Sequence, residues 1–169
     1  MALREFTVAG ALVESDEGLL LVQNQRRNGA LDWSTPGGVI DDTDSSLLVG
    51  LAREVEEETG LVVTSWEGPL YEVRAVAPEL GWSMRVEVHR ALTFQGDLRV
   101  EDPDGIVVDA CFCDEDRWTT LLDTCAPYVR EPLAEWLRHR WGPEGHRRYA
   151  YEVLGARRED AQVVRTTPS

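Results

Sequence analysis

Hydrophobic and β-branched residues recur along the chain in short runs that are typical of β-strands. We predict six such strands, and they cover residues 6–14, 19–25, 61–66, 70–77, 84–94 and 106–113. The turn sequence SDEG joins the first two strands. The segment RRNGALDWSTPGG that follows is polar and ends in Pro-Gly-Gly, so we predict that it is a loop.

Two segments show the 3.6-residue period of amphipathic helices. In residues 45–60, four apolar residues recur at i, i+3, i+4 and i+7, namely Leu48, Leu51, Ala52 and Val55. Gly60 fits the left-handed position that follows a helix end. Residues 131–141 carry a second apolar stripe that includes Leu133 and Trp136. Because strands and helices alternate without a strict βαβ repeat, the pattern predicts an α/β fold with a mixed sheet and helices on both faces.

The length of 169 residues is typical of one domain. We assign residues 1–142 to this domain and residues 143–169 to a C-terminal extension. We predict a β-hairpin that is formed by residues 149–155 and 161–165. It would pack either on the domain or on a partner subunit in a homodimer. The last forty residues are rich in arginine, although the whole chain has a formal net charge of −14.

Composition narrows the classes of function. A hydrophobic fraction of 43% and a charged fraction of 28% are ordinary for a soluble globular protein, and we predict a cytoplasmic location. The strong negative charge argues against binding to duplex nucleic acid or to a membrane surface. The chain has no lysine, which excludes a lysine nucleophile. Its three cysteines are predicted to be reduced, buried thiols.

Carboxylates are crowded in the segment LAREVEEETGL, close to a predicted helix end. A helix turns by about 100° per residue, which places Glu54, Glu57 and Glu58 on one arc beside the apolar face. Acids near a helix C-terminus oppose the helix dipole by about 0.3–1 kcal/mol each. Arg53 lies within reach of Glu57, but one arginine does not balance three acids. Either the acids form a solvated face or a divalent cation binds them.

The longer segment PGGVIDDTDSSLLVGLAREVEEETGL resembles the signature motif of the Nudix hydrolases. Gly38 matches the first position of that motif. The second half matches without exception, at Arg53, Glu54, Val55, Glu57, Glu58, Gly60 and Leu61. Between Gly38 and Arg53 the sequence departs from the family motif in two ways. Asp44 replaces the glutamate of the family, and one extra residue separates it from Arg53, so Asp44 either pairs with Arg53 or caps the helix.

The resemblance implies an α/β/α sandwich around a mixed sheet, with a loop–helix–loop unit that binds Mg²⁺ or Mn²⁺ against a diphosphate. Glu54, Glu57 and Glu58 would be the metal ligands, and Arg53 would orient them. The reaction implied is hydrolysis of the pyrophosphate bond in a nucleoside diphosphate linked to another group. The alternative is a Nudix-fold sensor that binds a nucleotide without turning it over, which the change at Asp44 would favour.

The motif defines the metal ligands, but it defines the general base and the substrate contacts less closely. Glu57 or Glu58 would serve as the base, or else an acid of the segment EDPDGIVVDACF, which carries Glu101, Asp102, Asp104 and Asp109. Of these four we favour Asp109 and then Asp104, although EDPDG is also an ordinary turn sequence.

The expected substrate contacts lie on the loop and on one strand. We expect Gly37 and Gly38 to bind the substrate, Trp33 to stack on a base or a ring, and Arg85 to line the pocket. Three further side chains lie on or near strands that would line the same pocket, namely Trp82, Arg74 and His89.

Overall fold

The computed structural model describes residues 2–169. Its strands are β1 (Arg4–Leu12), β2 (Glu14–Ser15), β3 (Gly18–Gln25), β4 (Leu31–Ser34), β5 (Gly37–Val39), β6 (Val62–Ala77), β7 (Trp82–Gln95), β8 (Val107–Cys113), β9 (Arg147–Leu154) and β10 (Gln162–Thr166). Its α-helices are α1 (Leu47–Thr59), α2 (Glu115–Leu122) and α3 (Pro127–His139). Two short 3-10 helices cover Pro143–Gly145 and Arg158–Asp160.

The strands form two sheets. The larger has six strands in the order β10-β9-β6-β7-β1-β5. Its β1–β7 and β6–β9 pairs are parallel and its other pairs are antiparallel, so it is a mixed sheet as predicted. The smaller sheet has four strands and is built around β3, which pairs antiparallel with β2, β4 and β8.

Strand β1 separates the two apolar cores of the protein, because successive side chains of a strand point to opposite faces. Ala9 and Ala11 point to one face, where they pack in a cluster with Leu51 and Val55 of α1. All four side chains are at most 1% exposed. This packing holds α1 against the face of the sheet on which its carboxylates reach the start of β5.

The opposite face of the sheet holds a larger core. Leu12 of β1 points into it, together with Leu133 and Trp136 of α3. Helix α2 also contributes to this core through Leu122, which is 2% exposed. Helices therefore lie on both faces of the sheet, which confirms the α/β/α sandwich predicted from the sequence.

Local interactions define both ends of α1. The Ser46 hydroxyl accepts a hydrogen bond from the Val49 amide at 3.2 Å and caps the helix. Gly60 ends the helix in the left-handed conformation, with φ of 78°, as its position in the sequence predicted. The helix therefore ends one residue after Glu58, so all three clustered glutamates lie in its last two turns.

The structure corrects several element boundaries. Residues 26–38 are not a continuous loop, because their backbone forms β4 on the edge of β3 and begins β5 on the edge of β1. The two predicted strands at 61–66 and 70–77 are one strand, β6, which begins at Val62 and in which register shifts replace the predicted break. Helix α2 was not predicted, although Asp114 caps it and two acids occupy its first turn.

The predicted C-terminal hairpin is present. Strands β9 and β10 pair antiparallel, with Val163 opposite Val153. Strand β9 also pairs parallel with β6 over residues 147–152, so the hairpin continues the six-stranded sheet. The buried rings of Tyr149 and Tyr151 join it to the core beneath α3.

Truncation of the Leu51 side chain should test how strongly the packing of α1 on the sheet stabilises the protein. Leu51 is fully buried, and its replacement by alanine is expected to lower the free energy of unfolding by about 2–5 kcal/mol. Val49 on the same helix is 52% exposed, so Val49→Ala should change it by about 0.5 kcal/mol or less. Urea unfolding followed by circular dichroism measures both, and equal losses would contradict this packing.

Candidate active site

Gly37 and Gly38, which begin β5 and are called the glycine loop here, lie close to the end of α1. The Gly37 amide donates a hydrogen bond to Glu58 Oε2 at 3.1 Å. Gly37 has φ of 149°, and a Cβ there would lie 2.1 Å from the Ala9 carbonyl oxygen, so no other residue fits. At Gly38 a Cβ would lie 2.9 Å from the Glu54 carboxylate. The loop backbone therefore borders two of the three clustered glutamates.

Arg53 is the cation that the carboxylates share. Its guanidinium forms a bidentate pair with Asp44, at 3.1 Å and 3.0 Å. Its Nη1 atom lies 3.2 Å from Glu54 Oε1 and 3.2 Å from Glu57 Oε2. The hydrogen bonds that Arg53 donates to Asp44 and the nearby negative charges raise the pKa of Arg53. One guanidinium thus contacts three carboxylates, of which Glu54 and Glu57 belong to α1 and Asp44 precedes it.

Asp44 pairs with Arg53 and does not cap the helix, since Ser46 takes that role. The alternative in which Asp44 is the cap is therefore wrong. The shorter side chain still reaches Arg53, and Asp44 Oδ2 also accepts a hydrogen bond from the Asp41 amide at 2.9 Å. The departures from the family motif thus leave the contact between these two residues intact.

Gly50 is a site residue that the sequence analysis missed. A Cβ at Gly50 would lie 2.7 Å from Asp44 Oδ2, so a side chain there would displace the partner of Arg53. Its signal in the sequence is a glycine inside a helix, which costs about 1 kcal/mol relative to alanine and calls for a packing reason. Close approach to Asp44 is that reason.

Burial opposes the ionisation of two glutamates. Burial raises the pKa of Glu58 to about 8, and the hydrogen bond from Gly37 offsets only part of this effect. Burial also raises the pKa of Glu54, and the negative charge of Glu57 adds to the effect while Arg53 opposes it. A cation placed beside these groups would favour their charged forms.

The side chains are directed toward different partners in this structure. Glu54 and Glu57 contact Arg53, while Glu58 contacts the loop. Accordingly, no three His, Cys, Asp or Glu groups within residues 2–169 are arranged as a metal cluster. The donor set nevertheless fits a hard divalent cation, because it consists of carboxylate oxygens of which one is buried and needs positive charge to ionise.

The acidic segment before β8 supplies two groups to the neighbourhood of the cluster. The negative charge of Asp104 contributes to the raised pKa of Glu54, and that of Asp102 contributes to the raised pKa of Glu58, after burial in both cases. Asp102 is engaged in its own turn, where its carboxylate accepts three backbone hydrogen bonds at 2.9–3.1 Å. The Asp104 carboxylate has no such partner within residues 2–169, which leaves it the freer of the two.

Two other predicted residues make contacts outside the carboxylate cluster. Asp109 is an exposed residue of β8, and its carboxylate accepts a hydrogen bond from the Ala110 amide at 2.8 Å. Trp33 is 7% exposed and packs in the core, and its amide donates a hydrogen bond to Thr124 Oγ1 at 2.9 Å. A buried indole offers no face to a base or a ring, so this placement argues against the predicted stacking role.

Arg85 lies on β7, on the same face of the sheet as α1. Its guanidinium pairs with Glu72 and lies 3.6 Å from Glu87 Oε2. Its side chain is 65% exposed. The structure therefore separates Arg85 from the glycine loop but keeps it on the face that the loop borders.

The fold and the site together define an α/β/α protein with a glycine loop and a carboxylate-rich helix end on one face of a mixed sheet. The sequence profile of the NUDIX domain matches residues 4–139. The chain therefore belongs to the Nudix hydrolase family, as its motif predicted.

Similar proteins extend this result. A MutT-like protein from Streptomyces ambofaciens is 44% identical over 61 residues, which cover 36% of this chain and 37% of that relative. The structure of a MutT NUDIX hydrolase from Burkholderia pseudomallei is 25% identical with a TM-score of 0.57, over 73% of this chain and 88% of the other. A MutT protein from Methanosarcina mazei is 21% identical with a TM-score of 0.66, over 83% and 98%, and supports the fold alone.

Family membership carries two general properties. Nudix hydrolases act on nucleoside diphosphate derivatives, and they generally use divalent metal ions. Within residues 2–169, no helix combines the length and the apolar character needed to cross a bilayer.

The ion pair between Arg53 and Asp44 predicts a pH-dependent stability. Hydrogen bonds from Arg53 hold the pKa of Asp44 below its ordinary value. Such a carboxyl stabilises the fold above its unfolded pKa, about 3.9, and loses this effect as the pH falls through the folded value. Asp44→Asn should therefore be less stable than the wild type at about pH 7, and the difference should close below about pH 4.

Urea unfolding of both proteins at a series of pH values measures this difference. The control is Asp42→Asn, since Asp42 is exposed and makes no hydrogen bond or ion pair within residues 2–169. A gap between Asp44→Asn and the wild type that stays constant into the acid range would contradict the assigned ion pair.

Proposed function

We propose that this protein hydrolyses the pyrophosphate bond of a nucleoside diphosphate linked to another group. The observation that carries the proposal is the contact between the carboxylate-rich end of α1 and the Gly37–Gly38 backbone. Family membership supplies the general chemistry, and this contact supplies a place where carboxylates and an open backbone meet.

Glu54, Glu57 and Glu58 would hold Mg²⁺ or Mn²⁺. The bound cation would supply positive charge to the diphosphate oxygens and would make water easier to deprotonate. Without such a charge an anionic diphosphate would meet an acidic protein of net charge −14, which would weaken its binding at the carboxylate cluster.

The residues of the chain perform the remaining tasks. Arg53 positions Glu54 and Glu57, because its Nη1 atom contacts both. The Gly37–Gly38 backbone lets a phosphate approach without meeting a side chain. A water oxygen attacks one phosphorus, the bond to the bridging oxygen breaks, and the second phosphate leaves. The protein contributes mainly by positioning these groups and by stabilising charge.

Asp104 is the acid that we assign as the base. It would accept the proton of the attacking water through its carboxylate, while Asp102 stabilises the turn that carries it. Asp109 was favoured from the sequence, but its carboxylate is bonded to the neighbouring amide on an exposed part of β8. The negative charge of Asp104 acts on Glu54, and its carboxylate is not bonded within its own turn, so we favour Asp104.

The alternative of a sensor without turnover is less well supported. It was motivated by the replacement of the family glutamate by Asp44, which could have left Arg53 without its partner. Asp44 instead holds Arg53 in a bidentate pair. A cytoplasmic location and a homodimer remain predictions from the sequence, as does the lack of binding to duplex nucleic acid.

Replacement of Glu57 should remove activity without unfolding the protein. Glu57→Gln keeps the shape of the side chain but removes a carboxylate ligand, so kcat/KM on the substrate should fall by at least about 100-fold. Glu56→Gln is the matched control, because Glu56 is the exposed neighbour that points away from the cluster. Release of monophosphate from ADP-ribose, diadenosine polyphosphates, NADH and oxidised dNTPs is the assay.

Calorimetric titration with Mn²⁺ provides a second measurement on these proteins. The wild type and Glu56→Gln should bind the cation, and Glu57→Gln should bind it more weakly. If the two variants behave alike in both measurements, the assignment of Glu57 is wrong. If nucleotides bind tightly to the wild type and no product forms, the sensor replaces the hydrolase.

The two candidate bases can be separated by paired substitutions. Asp104→Asn should lower kcat by about 100-fold, because the acceptor of the water proton is lost. Asp109→Asn should leave kcat close to that of the wild type. Steady-state kinetics measures both. The opposite ranking would return the role to Asp109.

A further inference from the structure

A groove of about 500 Å³ opens on the six-stranded sheet, outside the carboxylate cluster. Strands β6, β7 and β9 form its floor, and residues 166–169 form one wall. Its charged lining consists of three arginines and two glutamates, namely Arg74, Arg85, Arg148, Glu72 and Glu152. A lining with more cations than acids is unusual in a protein with a net charge of −14.

Strand register places this groove on the same face as the glycine loop. Residues that pair directly on neighbouring strands point to the same side of a sheet. One such row across the sheet runs through Gly38, Ala9, Glu87, Glu72 and Arg148. Ala9 packs under α1, so the other side chains of the row lie on the α1 side.

A second row, two residues away along the strands, contains the other two arginines. It runs through Thr7, Arg85, Arg74, Ala150 and Thr166. Neighbouring strands lie about 4.8 Å apart, so β7 is about 10 Å from β5 and β6 is about 14 Å away. A group attached to a diphosphate at Gly38 would need to extend by this distance to reach the groove.

Two of the three arginines in the groove already form ion pairs with one glutamate, Glu72. Glu72 pairs with Arg85, and Glu72 Oε2 lies 3.4 Å from Arg148 Nε. Partial burial acts to raise the pKa of Glu72, but the hydrogen bond and charge of Arg85, together with Arg148, lower it overall. Glu72 is therefore an ionised anchor that positions both guanidinium groups in the groove.

Arg74 has no such partner. It is exposed, it lies between Arg85 and Ala150 in its row, and no carboxylate within residues 2–169 lies within ion-pair distance of it. Glu87, the acid between the loop and the groove, is bonded to His89 at 2.8 Å. Arg74 is thus an arginine without an ion-pair partner. A substrate whose diphosphate lies at the glycine loop would reach it by extending about 14 Å across the sheet.

We infer that the groove binds a further phosphate on the substrate, through Arg74 and the Glu72-anchored arginines. This inference rests on the proposed function and narrows its substrate class to diphosphates whose attached groups carry an additional phosphate. That phosphate could stand on the nucleoside or on the other linked group. An arginine is suited to it, because the guanidinium donates paired hydrogen bonds to phosphate oxygens.

Three probes that share one scaffold test the inference. They are ADP-ribose, ADP-ribose 2′-phosphate and ADP-ribose 1″-phosphate, so the extra phosphate is absent, on the nucleoside, or on the terminal ribose. Wild-type protein should show a KM at least about tenfold lower for one phosphorylated probe than for ADP-ribose. Arg74→Gln should remove this preference, so that its KM values for the three probes become similar. Arg74→Lys should retain part of the preference.

The matched control is Arg27→Gln, because Arg27 is an exposed arginine outside the groove. Calorimetric binding of the three probes in EDTA gives a readout that does not depend on turnover. If no probe is hydrolysed but Arg74→Gln loses phosphate-dependent binding, the probes are ligands and not substrates, and the groove assignment stands while the hydrolysis is decided by the wider substrate panel. If the probes are hydrolysed with equal KM, or if Arg74→Gln keeps the preference, the groove assignment is overturned.

Discussion

Repulsion among four carboxylates is the constraint around which the end of α1 is organised. Asp44, Glu54 and Glu57 each contact Arg53, while Glu58 is buried and bonded to a loop amide. A helix C-terminus is an unfavourable place for acids, and one guanidinium compensates only in part. The cluster therefore carries an excess of negative charge. In the proposed catalysis a bound divalent cation would balance this charge and would also contact the diphosphate.

Close backbone approach is the second requirement, and glycine meets it at three places. Gly37 and Gly38 let the loop lie against β1 and Glu54, and Gly50 lets Asp44 reach across the first half of α1. Each of these positions would place a Cβ within 3.0 Å of another atom. Glycines that look like simple loop or helix irregularities are thus part of how the acidic cluster is positioned.

The sequence predicted the parts of this protein that depend on local pattern. The apolar period of α1, its glycine end and the shared arc of three glutamates follow from helix geometry, and the structure has all three. The hairpin of β9 and β10 also followed from its residues. Strand β5 was missed because Gly37 and Gly38 have little preference for strands, and only pairing with distant β1 gives them that conformation.

Tertiary context also decided the roles of single residues. Trp33 follows a polar loop in the sequence, but contacts with α2 and with Cys125 draw it into the core. Asp109 and Asp104 look alike in sequence, and only their surroundings in the fold distinguish them. The groove could not be read from the sequence at all, because its three arginines come from strands up to 74 residues apart and meet only through their register.

The parallel pairing within the sheet has a consequence for synthesis on the ribosome. Residues 4–12 pair with residues 82–90, and residues 71–76 pair with residues 147–152. Strands β1 and β6 therefore emerge before the strands with which they pair in parallel, β7 and β9. Contacts between distant segments of a chain slow folding. Helix α1 can pack early on β1 and β5, but the sheet beneath it is extended only after β7 has been translated. Nascent chains shorter than this would hold the acidic helix on an incomplete sheet.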